Sequence, residues 1–442
     1  MANSSLCLER NNLFLRLDSK IKQQTMFDIF KGQKGLTLFA TILIIFYGIY
    51  YIPIDSFATN APIKMVLMAS SIVVLLFYTF KTSKALIWGA IYLIFQYVVA
   101  SFHPESFRWS TYIYSILLVL TYVCFYNLVY IEKVFTIDHF IKICKWFMIA
   151  YFVVCVIQQT ALLIGISYMP LLNMMQPLDR GLGCQSLSME PSTFGRFMLV
   201  FYYAYVKCKE YKRDEGPFTL RELFSGEHKW ITIRFLWMML TMGSGTAFVC
   251  LILFSLYFVR KHNWYYIIPA LIGCYILIQN SGIEALDRAT NTIEATATLD
   301  RETVQETDGS AAARISPIIN SINADFSKKE TWLGYGIDYG KNRNSFARQT
   351  STLFEDYGFI FYIISLLFAF TCAYNFWSLG TIFMFAGVGG GFGTNIQYAW
   401  ELAMVMTCVR YFYENRYNPE IYEEEEEKGK NKELCENSAI VM

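Results

Sequence analysis

The feature that most constrains this chain is a succession of apolar stretches of bilayer-crossing length, separated by short polar connections. They lie at about 35–54, 62–80, 84–102, 110–130, 146–168, 193–208, 263–279, 352–374, 377–391 and 397–413. A helix of about 20 apolar residues spans the hydrocarbon core. Residues 231–259 are also apolar, but too long for one straight span, and Thr241-Met-Gly-Ser-Gly-Thr246 interrupts them. That interruption reads either as an external hairpin between two short spans or as a small-residue packing site or kink within one tilted helix. With the hairpin, the count is about twelve spans, and the expected fold is all-α, a polytopic membrane bundle. Composition excludes a soluble domain: 55% of the 442 residues are hydrophobic, 17% aromatic and only 17% charged.

Charge placement predicts sidedness. Lys81-Thr-Ser-Lys84, the loop carrying Lys133, Lys142 and Lys145, and residues 209–230 with Lys209, Lys212, Arg213, Arg221 and Lys229 are basic, hence cytoplasmic. Parity then puts residues 169–191 and 280–351 outside, and both chain ends inside. The expected organisation is a cytoplasmic segment over 1–34, a transmembrane domain over 35–413 and a polar tail over 414–442, with Glu423–Glu427 followed by lysines. No apolar signal-peptide core precedes residue 34, and Met26 is a second candidate start. Of eleven cysteines only Cys184 falls outside on this topology, which predicts no external disulfide. The four histidines show no metal-ligand spacing.

The chemistry concentrates in Asp179–Arg196, at the mouth of a span. Charge is expensive there. Arg180 and Arg196 present planar, permanently charged forks that match phosphate oxygens, or else cap a loop and snorkel to headgroups. Pro191 suits the first position of a helix, which leaves Glu190 beside a positive helix end and pointing into the same loop. In the larger outer loop, Ile315, Ile318, Ile319, Ile322 and Phe326 recur with the period of an amphipathic helix headed by Arg314. That loop ends in Trp332–Gly340, a glycine-punctuated turn where backbone could approach a ligand closely. A second glycine-rich outer turn is expected at Val388–Thr394.

The order of Arg180, Glu190-Pro191-Ser192, Thr241…Ser244, a long outer loop with Arg314, the Gly334-Tyr335-Gly336 turn and Glu355/Asp356…Gly358 resembles the O-antigen polymerase and ligase family over about residues 140–375. The resemblance implies a GT-C-like, metal-independent glycosyltransferase of the bacterial inner membrane. It would act at the periplasmic face on oligosaccharides carried by undecaprenyl diphosphate. It implies no cofactor and no nucleic acid; the partners are the lipid-linked oligosaccharide, membrane lipids and a chain-length regulator protein. The histidine that the ligases carry ahead of the Glu…Gly element is missing from Asn344–Gln349, which favours a polymerase over a ligase.

The expected chemistry needs arginines to hold the departing diphosphate and a carboxylate to take the acceptor hydroxyl proton. Arg180 and Arg314 are the first candidates for the former and Glu190 for the latter, with Asp338 behind it. Glu190 has the alternative role of an ion pair to Arg180 or Arg196. Arg196, Ser192, Ser244, Tyr335, Asp338, Arg343 and Arg348 are candidate substrate contacts, and no residue is assigned to a metal. A flippase or transporter of lipid-linked oligosaccharide is the competing class. It predicts ionisable groups inside the bundle, where Gln96, Gln158, Gln159, Arg234 and Glu401 are the polar residues in apolar stretches.

Overall fold

The computed structural model describes residues 33–49, 61–166, 168–169, 174–175, 183–188, 190–213, 216–258, 324–336, 353–388, 392 and 397–418, with single positions between 265 and 306. The expected span at 263–279, the amphipathic helix headed by Arg314, and the two chain termini lie outside the described residues. The fold is helical. Helices α1 (Gln33–Tyr47), α2 (Ala61–Val74), α3 (Lys84–Ser101), α4 (Trp109–Tyr130) and α5 (Ile137–Leu163) are followed by α6 (Pro191–Tyr211), the single turn α7 (Leu220–Leu223), α8 (Lys229–Thr241) and α9 (Gly245–Ser255). Further along come α10 (Lys329–Leu333), α11 (Leu353–Cys372), α12 (Leu379–Val388) and α13 (Gln397–Glu414). Beyond α5, the backbone pairs Tyr168–Met169 antiparallel with Met174–Met175, a two-residue ladder among described elements that are otherwise helical.

Among the described residues, α3, α4 and α5 are long and apolar enough to cross a membrane. The expected number was about twelve. Shorter apolar helices of 10–17 described residues are Lys34–Tyr47, Ile63–Thr79, Gly245–Phe258 and Asp356–Cys372; α2 passes into a π-helical turn at Leu75–Thr79, and Gly358 has a φ of 79° inside α11. Helices α6 and α13 are instead enclosed by their neighbours, with Arg196 and Glu401 inside the protein. Large apolar side chains such as Phe77, Ile94 and Trp146 stand exposed on the outer helices, an exterior suited to lipid.

The helices alternate in direction, and their ends sort into two sets. At one end Lys81 pairs with Glu132 at 2.9 Å, Lys212 with Asp138 at 2.7 Å and Lys209 with Glu227 at 2.9 Å. Tyr130 donates to Glu414 at 3.0 Å, and Tyr257 to Glu210 at 2.7 Å, at the same end. These are the segments whose basic residues predict a shared side. One boundary differs. Lys142 and Lys145, expected in a loop, lie within α5, because the Thr136 hydroxyl caps the helix by accepting from the His139 amide at 3.2 Å. Asp138 in the first turn complements the helix dipole and favours the same early start.

The interrupted stretch at Thr241–Thr246 is a hairpin. Gly243 takes a φ of 67°, and Phe235 of α8 meets Phe254 of α9 at 5.5 Å between ring centres. A continuous helix would hold those two rings about 28 Å apart at ~1.5 Å per residue. Tyr202 of α6 closes the hairpin, stacked on Phe235 at 4.0 Å and tilted against Phe254 at 5.0 Å.

The core is aromatic. Phe392, in the expected glycine-rich outer turn, is buried, not displayed: its ring stacks on Trp400 at 4.2 Å and packs near Tyr122 and Phe368. Its amide donates to the Ser365 hydroxyl at 2.9 Å, and its carbonyl accepts from the Tyr92 hydroxyl at 2.8 Å. The glutamines noted in the spans each fasten neighbouring elements, as polar residues do between membrane helices. Gln96 donates to Ser115 at 3.1 Å and Tyr357 at 2.8 Å, while Gln159 donates to Thr241 at 2.7 Å and accepts from Trp237 at 3.1 Å.

Candidate functional site

The start of α6 follows from its residues. Glu190 is the N-cap, in extended conformation with φ −150° and ψ 157°, and Pro191 takes the first helical position, where its missing N–H costs nothing. The Glu190 carboxylate accepts hydrogen bonds from the hydroxyls of Ser192 and Thr193. The Ser188 hydroxyl donates to the Glu190 carbonyl at 2.8 Å and so ties the preceding segment to the helix start. Ser192 is thereby a partner of the carboxylate.

Residues 183–188 lie against α5. The Gln158 side chain reads Ser186 from both sides, accepting from its amide at 2.7 Å and donating to its carbonyl at 3.0 Å. The Ser186 hydroxyl donates to the Tyr151 carbonyl at 2.7 Å. Gly183 also meets the hairpin: a Cβ on Gly243 would sit 3.0 Å from the Gly183 Cα. Ser244 follows immediately as the N-cap of α9, nearly buried and without a side-chain capping bond. Gly195 lets α9 approach α6, with its absent Cβ position 3.2 Å from the Ala247 Cα. Glu190, Ser192, Arg196 and Ser244 therefore belong to one neighbourhood.

Arg196 is 3% exposed. Its guanidinium donates to the Tyr398 hydroxyl and lies 4.9 Å from that ring's centre. Its contacts are with Tyr398 of α13, so it neither snorkels nor pairs with Glu190. The Arg196 Nε has no hydrogen-bond partner among the described residues. A buried guanidinium with a spare donor can receive an anionic oxygen.

One turn beyond Tyr398, Glu401 is fully buried, with neither carboxylate oxygen hydrogen-bonded among the described residues. Gly48 makes room for it: any side chain there would meet the Glu401 carboxylate and the Phe147 ring. Lys64 of α2 is also buried, and its ammonium lies 5.5 Å from the Tyr47 ring centre. Sequence reasoning noted Glu401 but gave it no work, and it missed Lys64 and Tyr398. The available signal was an ionisable residue within an apolar stretch, which by itself marks a candidate.

Tyr335 occupies a different place. Its turn is held by the Gly336 amide donating to the Asp356 carbonyl at 3.0 Å. Gly334 and Gly336 have φ of 75° and 101°, and added Cβ atoms would meet the Asp356 backbone in one case and His103 and Ser106 in the other. At 334 and 336 the space a Cβ would take is filled by the chain itself, and the rest of the expected turn, 337–340, lies outside the described residues. Arg180, Arg314, Asp338, Arg343 and Arg348 lie outside the described residues.

The expectation of no external disulfide rests on counting cysteines by loop. The structure places the Cys155 sulfur, within α5, 3.2 Å from the Cys184 sulfur. Searches for related proteins leave the chain to be judged on its own residues: no family model, no curated protein and no solved structure matches it.

Proposed function

We propose that this chain is a membrane glycosyltransferase that polymerises oligosaccharide repeat units carried on undecaprenyl diphosphate, in the manner of the O-antigen polymerases it resembles. The proposal places the work at the non-cytoplasmic face of a bacterial inner membrane. The product would be O-antigen, capsule or exopolysaccharide. The observation that carries this reading is Arg196, a buried guanidinium whose Nε has no hydrogen-bond partner among the described residues, set beside the Glu190–Ser192 helix start.

In the proposed reaction the acceptor hydroxyl attacks the anomeric carbon of the growing glycan. The bond from that carbon to the diphosphate breaks, and the lipid diphosphate leaves with its charge held by arginine. The hydroxyl proton passes to a carboxylate, for which Glu190 is the candidate. Arg180 and Arg314 keep their proposed places as further clamps, and Asp338, Arg343 and Arg348 as further contacts, on the resemblance.

Purified protein in lipid vesicles, given lipid-linked repeat units, is expected to lengthen the glycan on a gel. Arg196→Ala is expected to lower polymer formation on the order of 10²-fold, the usual effect of removing one donor to developing charge. Arg180→Ala and Arg314→Ala are expected to abolish polymer while the proteins still insert. Wild-type polymer in all three would remove the mechanism.

One observation favours the flippase as a second reading. Lys64 and Glu401 are ionisable groups inside the bundle, as transport requires. In the same vesicles, glycan that changes leaflet without lengthening would select that function.

A further inference from the structure

Cys155 and Cys184 meet in a part of the protein built to hold them together. Cys155 lies on α5 between Tyr151 and Gln158, on one helix face by their spacing of three to four residues. Tyr151 and Gln158 both bind Ser186, two residues after Cys184, through bonds of 2.7 to 3.0 Å to its hydroxyl, amide and carbonyl. Segment 183–188 is therefore fastened one turn before and one turn after Cys155. Between those anchors the two sulfurs stand 3.2 Å apart, both side chains fully buried. A disulfide measures about 2.05 Å, so closing the bond asks for roughly 1 Å of movement.

The setting also suits oxidation. Cys155 lies in the half of α5 away from Asp138 and Lys212, about two turns before Leu163, and Cys184 lies just ahead of α6, whose far end carries Lys207, Lys209 and Lys212. Basic ends face the cytoplasm, so the opposite end faces the compartment where thiols are oxidised.

We propose that Cys155 and Cys184 form a disulfide that locks the segment ahead of α6 onto α5. The oxidant is a disulfide-bearing thiol oxidoreductase acting while the chain folds and before the segment covers the sulfurs. One sulfur–sulfur bond forms in this protein and one breaks in the oxidoreductase. The two thiol protons end on the oxidoreductase sulfurs, which leave as a dithiol. The bond fixes Glu190 and Pro191, a few residues downstream, against the helix that carries Gln158. It stands apart from the glycosyltransferase reading and holds whichever reaction the site performs.

The test counts thiols in the full-length chain. Cells are quenched with acid, and the protein is denatured and treated with a polyethylene-glycol maleimide before or after reduction. The expected result is two fewer mass tags before reduction than after. Cys155→Ser and Cys184→Ser should each abolish that difference. Peptide mass mapping of the unreduced wild-type chain is expected to join the peptides that carry Cys155 and Cys184, a readout that needs neither variant to fold. Equal tag numbers in the wild type, or a difference of two that persists in either variant, would overturn the proposal.

Discussion

At the residue scale, two ionisable side chains of opposite sign, Lys64 and Glu401, are buried inside the helical bundle. The Lys64 ammonium lies 5.5 Å from the Tyr47 ring centre, and the Glu401 carboxylate fills the space beside Gly48. Removing one member of a buried pair strands the other charge, which costs about 3–5 kcal/mol; replacing both with apolar groups is often neutral. Lys64→Met is therefore expected to lower thermal stability in detergent sharply, and Lys64→Met with Glu401→Leu to restore much of it. Equal stability of the single variant and the wild type would show that the two charges act independently. The sequence made the position of Glu401 visible. It could not show that Gly48, hundreds of residues earlier, leaves the space for its carboxylate.

At the element scale, local signals set where helices begin and long-range contacts set where they bend. Pro191 after Glu190 and Thr136 before Asp138 are enough to start α6 and α5. The kink in α11 has another origin. Gly358 and Gly334, with φ of 79° and 75°, face each other's backbone so closely that a Cβ on either would meet main-chain atoms. Gly334→Ala combines a left-handed conformation with a backbone collision, and is expected to destabilise the protein by about 1–3 kcal/mol. A lowered melting temperature in detergent checks this. An unchanged melting temperature would mean that the turn yields freely. The hairpin of α8 and α9 was an open alternative in the sequence because glycine and serine permit both a kink and a reversal. Tyr202, stacked on Phe235 and tilted against Phe254, is a residue against which the reversal packs.

At the scale of the whole molecule, the basic connections gather at one end of an alternating bundle and Arg196 lies toward the other. The positive-inside rule turns that geometry into an orientation. In intact cells, a membrane-impermeant maleimide should label Glu105→Cys from outside, and Lys81→Cys only after permeabilisation. The opposite pattern would move the candidate site to the cytoplasmic face. Hydropathy and charge by themselves determined the helical class, most helix positions and the common end of the basic segments, because these depend on the period and composition of contiguous residues. Only the tertiary structure decided that Arg196 faces Tyr398, that Glu401 shares the interior with Lys64 and that Cys155 touches Cys184. Each of those meetings joins residues far apart along the chain, and such contacts arise only when several helix faces pack at once.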